Sequence, residues 1–228
     1  MSTIKSKRCY KVLALGDGEV GKTCLLHRLT NRPGIFKDNE ILQQYIPTIF
    51  EHYSYDLLYK IGFQSSEKIK TYQTVLWDSA GQEELNGIRR MSYDDVDLVL
   101  LCFNLNNIDS FKNIIDRWLI EIGAFLPSTK IILIGTKSDL DKNIEQNSIN
   151  QLIINSKIEA RATGRANKMV SDYVETSSKM NYNFDLLREK MAVLLEEIEK
   201  EENENESWIN RYFGSLKCFL CGFSGKST

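Results

Sequence analysis

The sequence has no long apolar run. No window approaches the roughly 20 apolar residues needed to cross a bilayer, and the opening MSTIKSKRCYKV lacks the apolar stretch of a signal peptide. These absences lead us to expect a cytoplasmic protein. A surplus of positive charge is missing too. The formal net charge is −2, which gives no electrostatic reason to expect nucleic acid as a partner, since phosphate backbones are bound by clustered Lys and Arg. Cysteine is sparse: the five stand at positions 9, 24, 102, 218 and 221 without framework spacing. Free thiols of a reducing compartment are expected rather than disulfides. No internal repeat is visible. The 228 residues, 42% of them hydrophobic, suit one core-forming domain with a tail.

What is present is an alternation of strand-like apolar runs with helix-period segments, the signature of βαβ units around a largely parallel sheet. CYKVLALG reads as a first strand, followed by a helix from Lys22 to about Asn31. VDLVLLCFN and KIILIGT are continuous apolar runs of the length that central strands covered on both faces require. Between them Phe111, Ile114, Ile115, Trp118, Leu119 and Ile122 recur at helical spacing and predict one apolar face. Phe184, Leu187, Met191, Leu194, Leu195 and Ile198 predict a last helix in the same way. EHYSYDLLYK and KTYQTVLW read as paired strands joined near Gly62. The folded domain is expected to occupy residues 1–200. After it, EKEENENESW is too polar to bury apolar area, so 201–228 reads as an acidic linker and an aromatic, cysteine-containing tail.

GDGEVGKT, Gly16 to Thr23, fits G-x-x-x-x-G-K-[ST] between the first strand and the first helix. Gly16, Gly18 and Gly21 let the backbone wrap a polyphosphate. Loop N–H groups of Asp17, Glu19 and Val20, with the helix start at Thr23 and Cys24, offer donors. Lys22 supplies a cation for the β- and γ-phosphates, and Thr23 a hydroxyl for Mg²⁺. A second fragment, Gly225 to Thr228 (GKST), lacks the earlier glycine and a following helix and reads as chance.

A phosphate loop alone does not choose the base. TKSD, Thr136 to Asp139, directly follows the strand KIILIG. A carboxylate at Asp139 can accept from both N1–H and N2–H₂ of guanine, which adenine lacks, while the Lys137 stem packs on the purine. In ETSSK, residues Ser177, Ser178 and Lys179 can bring a backbone N–H to guanine O6. LWDSAGQE supplies Asp78 to hold Mg²⁺ through water, Gly81 to offer its N–H to the γ-phosphate and Gln82 to orient an attacking water. YIPT adds Tyr45 near the nucleotide and Thr48 as a second hydroxyl for Mg²⁺. Lys22, Thr48 and Gln82 are therefore the candidate catalytic residues.

With these motifs in this order, the chain resembles the Ras-superfamily small GTPases, and within them the Rho family, over Arg8 to about Lys200. GDGEVGKTCLL, YIPTIFEHYS, the Thr of TKSD, and LLCFNLNNIDSFKNIIDRWLIEI with Trp118 carry the Rho likeness. The resemblance implies a P-loop G domain: an α/β fold with a mostly parallel six-stranded sheet and helices on both faces. It also implies that residues about 141–158, with Ile149, Leu152 and Ile153, form a Rho-type insert helix. By analogy the chain is a monomeric GTP/GDP switch that hydrolyses GTP slowly. Its partners would be exchange factors, GTPase-activating proteins and kinase or actin-regulating effectors. These would meet residues about 45–53 and 81–93. A GTP-bound scaffold with little turnover is the rival reading; a P-loop kinase or ATPase has no reason to contain TKSD and ETSSK.

Some positions depart from the family pattern. Glu19 places a carboxylate in the phosphate loop, expected to repel phosphates and hasten exchange unless it points outward. The first switch, NRPGIFKDNEILQQYIPT, is longer than usual, leaving Phe36 or Arg32 to meet the base, and ELNGIRRMSY alters the second, where Gly87 adds flexibility. Cys24 lies in the first helical turn, where the dipole can lower a thiol pKa, although burial as a small residue is the simpler reading. Cys218 and Cys221 sit too far from the end for ordinary prenylation and supply only two of a structural zinc site's four ligands. Palmitoylation beside an aromatic segment resting on the inner face of the plasma membrane is favoured over a soluble docked tail.

Overall fold

The two apolar runs form the centre of the sheet because no alternation along them leaves a polar face. The structure, a computed structural model, describes residues 3–31, 36–37, 40–41, 50–61, 68–79, 81, 86–163 and 170–221. In chain order the elements are β1 (Thr3–Leu15), α1 (Lys22–Leu29), β2 (Phe36–Lys37), β3 (Glu40–Ile41), β4 (Phe50–Ile61) and β5 (Lys68–Ser79). Then come α2 (Asn86–Arg90), β6 (Leu98–Asn104), α3 (Ile108–Asn113), a π-helical turn (Ile114–Trp118), α4 (Leu119–Phe125) and β7 (Lys130–Thr136). The chain continues through α5 (Gln146–Thr163), β8 (Val170–Glu175) and α6 (Phe184–Cys221). Six strands make one sheet in the order β4-β5-β1-β6-β7-β8, and β2 pairs with β3 apart from it. Only the β4–β5 pair in the large sheet is antiparallel, which joins the two strands expected to pair.

Side chains alternate across the central strands and build a core on each face. Val12, Ala14, Leu98, Leu100, Ile132 and Ile134 face one cluster with α1 and α6. Leu13, Leu15, Val99, Leu101, Ile131 and Leu133 face the other, with the α3–α4 segment and α5. The first helix stops at Leu29, short of Asn31, because the Thr30 hydroxyl turns back to Leu26 O at 2.9 Å and Asn31 adopts φ 50°.

Three further features depart from the sequence pattern. Ile115, expected on the buried face, is 49% exposed, whereas Phe111, Ile114, Trp118 and Ile122 are buried. The π turn is the cause: Leu119 N–H bonds to Ile114 O five residues back, so the extra residue rotates Ile115 outward. Secondly, α5 is the only helix between β7 and β8 among the described residues, and Ile149 and Leu152 are buried in the core. The segment resembling an insertion lies largely within this helix, which shares its face of the sheet with the α3–α4 segment.

Thirdly, the acidic segment after Lys200 does not break the chain, because α6 continues as helix to Cys221. Its carboxylates lie against basic residues at the strand starts. Lys70 donates to Glu196 Oε2 at 2.6 Å and to Glu199, Arg8 binds Asp97 and Glu202, and Lys130 reaches Glu201 at 2.7 Å. Burial opposes the charge on Lys70, but the hydrogen bonds it donates to Glu196 and Glu199 outweigh that and hold its pKa above the ordinary lysine value. A composition that cannot form a core is ordered here by ion pairs along one side of a helix.

Candidate functional site

The C-terminal ends of β1, β5, β6 and β7 converge on the loop between β1 and α1, the place where open parallel sheets bind ligands. Gly16 leaves β1 at φ 137°, and a Cβ there would stand 2.1 Å from Cys102 O, so only glycine fits. Cys102 beneath it is wholly buried; burial pushes its thiol up to about 12, which leaves it neutral. Gly21, at φ 101°, caps α1 and accepts from Leu25 N–H at 2.9 Å.

Lys22 is 6% exposed, and among the described residues its ammonium donates to backbone carbonyls, Gly16 O at 2.9 Å and Asp17 O at 2.7 Å. Burial pushes its pKa down, and the charge of Asp78 offsets part of that. A cation held in this way gains most from an anion entering the loop. Asp78, the last residue but one of β5, is wholly buried and pairs in register with Ala14 of β1. Thr23, in the first turn of α1, is half-buried. A hydroxyl, a carboxylate and phosphate oxygens form the hard donor set that suits Mg²⁺, so these residues fit that ion.

The base motif packs on the back of the same loop. Thr136 Oγ1 lies 2.5 Å from Val20 O and 2.9 Å from Phe103 O, tying β7 to the loop. Lys137 takes φ 56° and donates to Glu19 O at 2.9 Å, with its stem alongside Gly21. Asp139 is exposed, but Ser177 Oγ donates to its Oδ1 at 2.5 Å and so aims the carboxylate. Ser177 itself is fixed by Met180 N–H at 3.0 Å, and Ser138 N–H by Thr176 O at 3.1 Å. The Ser178 carbonyl accepts from Arg28 of α1 at 2.7 Å, while Lys179 is exposed. Thr136, Lys137, Asp139 and Ser177 thus form one rim, 38 residues separating the carboxylate from the serine that orients it.

The structure bears on two positions where the sequence left alternatives open. Glu19 sits at φ 61° with its side chain exposed, so solvent screens its carboxylate. Burial raises the Cys24 pKa and favours the neutral thiol, in line with the simpler reading of a small packed residue. Cys9, Cys24 and Cys102 are all free thiols.

Gly81 lies against the phosphate loop: a Cβ on it would be 2.4 Å from Asp17 C and 2.5 Å from Gly18 N. On the proposed partner surfaces, Glu51 and His52 are exposed, whereas Tyr53 turns inward with its hydroxyl 3.2 Å from His27 Nε2. Gly87 has open space around its Cβ position and Met91 is 77% exposed. Tyr45, Thr48 and Gln82, with Phe36 and Arg32 as candidates for the base, have side chains outside the described residues, as do Cys218 and Cys221; Gly225 to Thr228 lie outside them altogether.

The Ras family profile matches residues 11–199, a stretch that carries the whole of this arrangement. The chain belongs to the Ras family. Within it the chain is Rho-like. It is 34% identical over 178 residues to the GTP-binding protein rho4 of Schizosaccharomyces pombe, spanning 78% of this chain and 81% of that one. It is 42% identical over 137 residues to the Ras-like GTP-binding protein RHO1 of Entamoeba histolytica, spanning 60% of this chain. A GTP-binding RHO-like protein of Candida albicans is 39% identical over 144 residues, or 63% of this chain. The matched stretches span only 57% and 38% of the last two relatives. As a Ras-family domain the fold accounts for the phosphate loop at the end of β1 and the TKSD rim at the end of β7. Asn113 and Glu121 carry no motif signature, whereas Trp118 belongs to the Rho-like stretch and Arg89 to the altered second switch.

Proposed function

We propose that this Rho-like chain is a GTP/GDP switch that binds Mg-GTP and hydrolyses it slowly to GDP and phosphate. The buried Lys22 ammonium, bound by Gly16 O and Asp17 O at the mouth of the loop, is the observation that carries this reading. Lys22 would hold the β- and γ-phosphates, Gly81 would offer its N–H to the γ-phosphate, and Gln82 would orient the attacking water. Thr23, Thr48 and, through water, Asp78 would hold Mg²⁺, which supplies neutralisation of charge on the phosphate oxygens. Asp139 and Lys137 would select and cover guanine, with Ser177, Ser178 and Lys179 lining O6.

Slow hydrolysis by the chain alone is expected from the family likeness, since in this superfamily an arginine from an activating protein is worth about 10³–10⁵ in rate. Purified protein with Mg²⁺ is expected to release phosphate from GTP and not from ATP in a single turnover. Tight GTP binding with no phosphate released would favour the scaffold, and release from ATP alone would overturn both readings.

Exchange factors, activating proteins and effectors would meet the exposed parts of residues 45–53 and 81–93. Because α6 carries Glu199 and Glu202 to the strand starts, its continuation leaves from the end of the sheet opposite the nucleotide loop. A membrane contact there would leave the switch surfaces open. Palmitoylation of Cys218 and Cys221 would supply the anchor. Mass spectrometry of cell-derived protein is expected to show added acyl mass, and two unmodified cysteines would remove the anchor.

A further inference from the structure

Asp17 stands in the phosphate loop, but its carboxylate faces away from it. Oδ2 accepts from Asn113 Nδ2 at 2.7 Å and Oδ1 accepts from Trp118 Nε1 at 2.8 Å. These two donors are five residues apart. On an α-helix that spacing would separate them by about 140° around the axis. The π turn over Ile114–Trp118 stacks residues five apart, so both donors reach one carboxylate.

The contact continues beyond Trp118. Its ring lies under the Arg89 guanidinium, 4.7 Å from the centroid. Arg89 belongs to α2, is 0% exposed and donates to Glu121 Oε1 and Oε2 at 3.1 and 3.0 Å. Tyr93 completes the cluster, with its hydroxyl donating to Glu121 Oε1 at 2.7 Å and lying 3.2 Å from Arg89 Nε. At the other end, the Asp17 carbonyl accepts from Lys22, and the same peptide is the surface against which Gly81 rests. Both ends of the second switch, Gly81 and α2, therefore bear on Asp17, one through its backbone and one through its side chain.

We propose that Asp17 is a positioning residue that couples the phosphate loop to the second switch through the π turn, Trp118 and Arg89. It binds no phosphate with its side chain. Holding the Asp17 peptide steady fixes the carbonyl that orients Lys22, and the state of the loop is transmitted to α2 by the ring under Arg89. The reading rests on the nucleotide switch proposed above, and concerns a contact rather than the nucleotide itself.

The test is a double-mutant cycle on nucleotide release. Asp17→Asn keeps the shape but removes the charge, and Trp118→Phe keeps the ring but removes the N–H. Release of a fluorescent GDP in the presence of Mg²⁺ is expected to quicken about tenfold in each, the scale of one charge-assisted hydrogen bond. The double variant is expected to release no faster than the faster single one, because both remove one contact. Asn113→Ala, at a half-buried position, is expected to reproduce the effect in milder form. Rates that multiply in the double variant, or single variants with native rates and only lower melting temperatures, would overturn the coupling. A native protein that fails to bind the fluorescent GDP would instead overturn the switch reading, and the coupling with it.

Discussion

Lys22→Met is expected to cut GDP affinity by about 10²–10⁴. Two charge-assisted contacts to phosphate oxygens, at roughly 1.5–3 kcal/mol each, set that range. The ammonium is nearly enclosed, so its contacts to an entering anion are poorly screened. Methionine fills the same channel without charge, and the Gly16 and Asp17 carbonyls lose their donor. The buried Asp78 also loses a neighbouring positive charge, so nucleotide-free stability falls as well. The informative quantity is therefore the rise in melting temperature when GDP is added. A ligand that binds only the folded state raises it by mass action. That rise is expected in the native protein and absent in the variant; a full rise in Lys22→Met would remove the lysine from its proposed role.

Asp139→Asn is expected to exchange guanine for xanthine nucleotides. Ser177 Oγ can still donate to the amide oxygen at the position of Oδ1, which leaves the amide N–H₂ facing the base. A donor there opposes the N2–H₂ of guanine and suits the O2 of xanthine. Losing one bond to a charged acceptor and gaining a donor clash costs roughly 3–4 kcal/mol, a fall in GTP affinity of about 10²–10³. Because Asp139 is exposed, folding is left intact. Competition of GDP and XDP against a fluorescent nucleotide measures the change, and a retained preference for GDP would show that another group reads the base.

Both variants test parts of the site that local sequence made visible. The phosphate loop is a contiguous run whose glycines, lysine and hydroxyl act within a few residues of one another, so its spacing is its geometry. Asp139 and Ser177 are legible as separate motifs, but the 2.5 Å bond between them depends on β7 and β8 pairing in register. Ile115 shows how pattern fails: its spacing is right for an α-helix and wrong for the π turn in which it lies. At Cys24 the sequence left two readings open, and burial, which only packing supplies, favours the neutral thiol.

Hydrophobic period and motif spacing act over a few residues, so the central strands and the place of the phosphate loop follow from local sequence. Tertiary structure alone decided where Asp17 points, since Trp118 lies 101 residues away and meets it only when the π turn packs on the loop. It likewise decided that α6 continues past the acidic stretch, with Glu199 meeting Lys70 across 129 residues. Contacts of that separation have no local pattern: they exist when the sheet order brings two distant segments together, and the loop-closure cost is met by the fold as a whole.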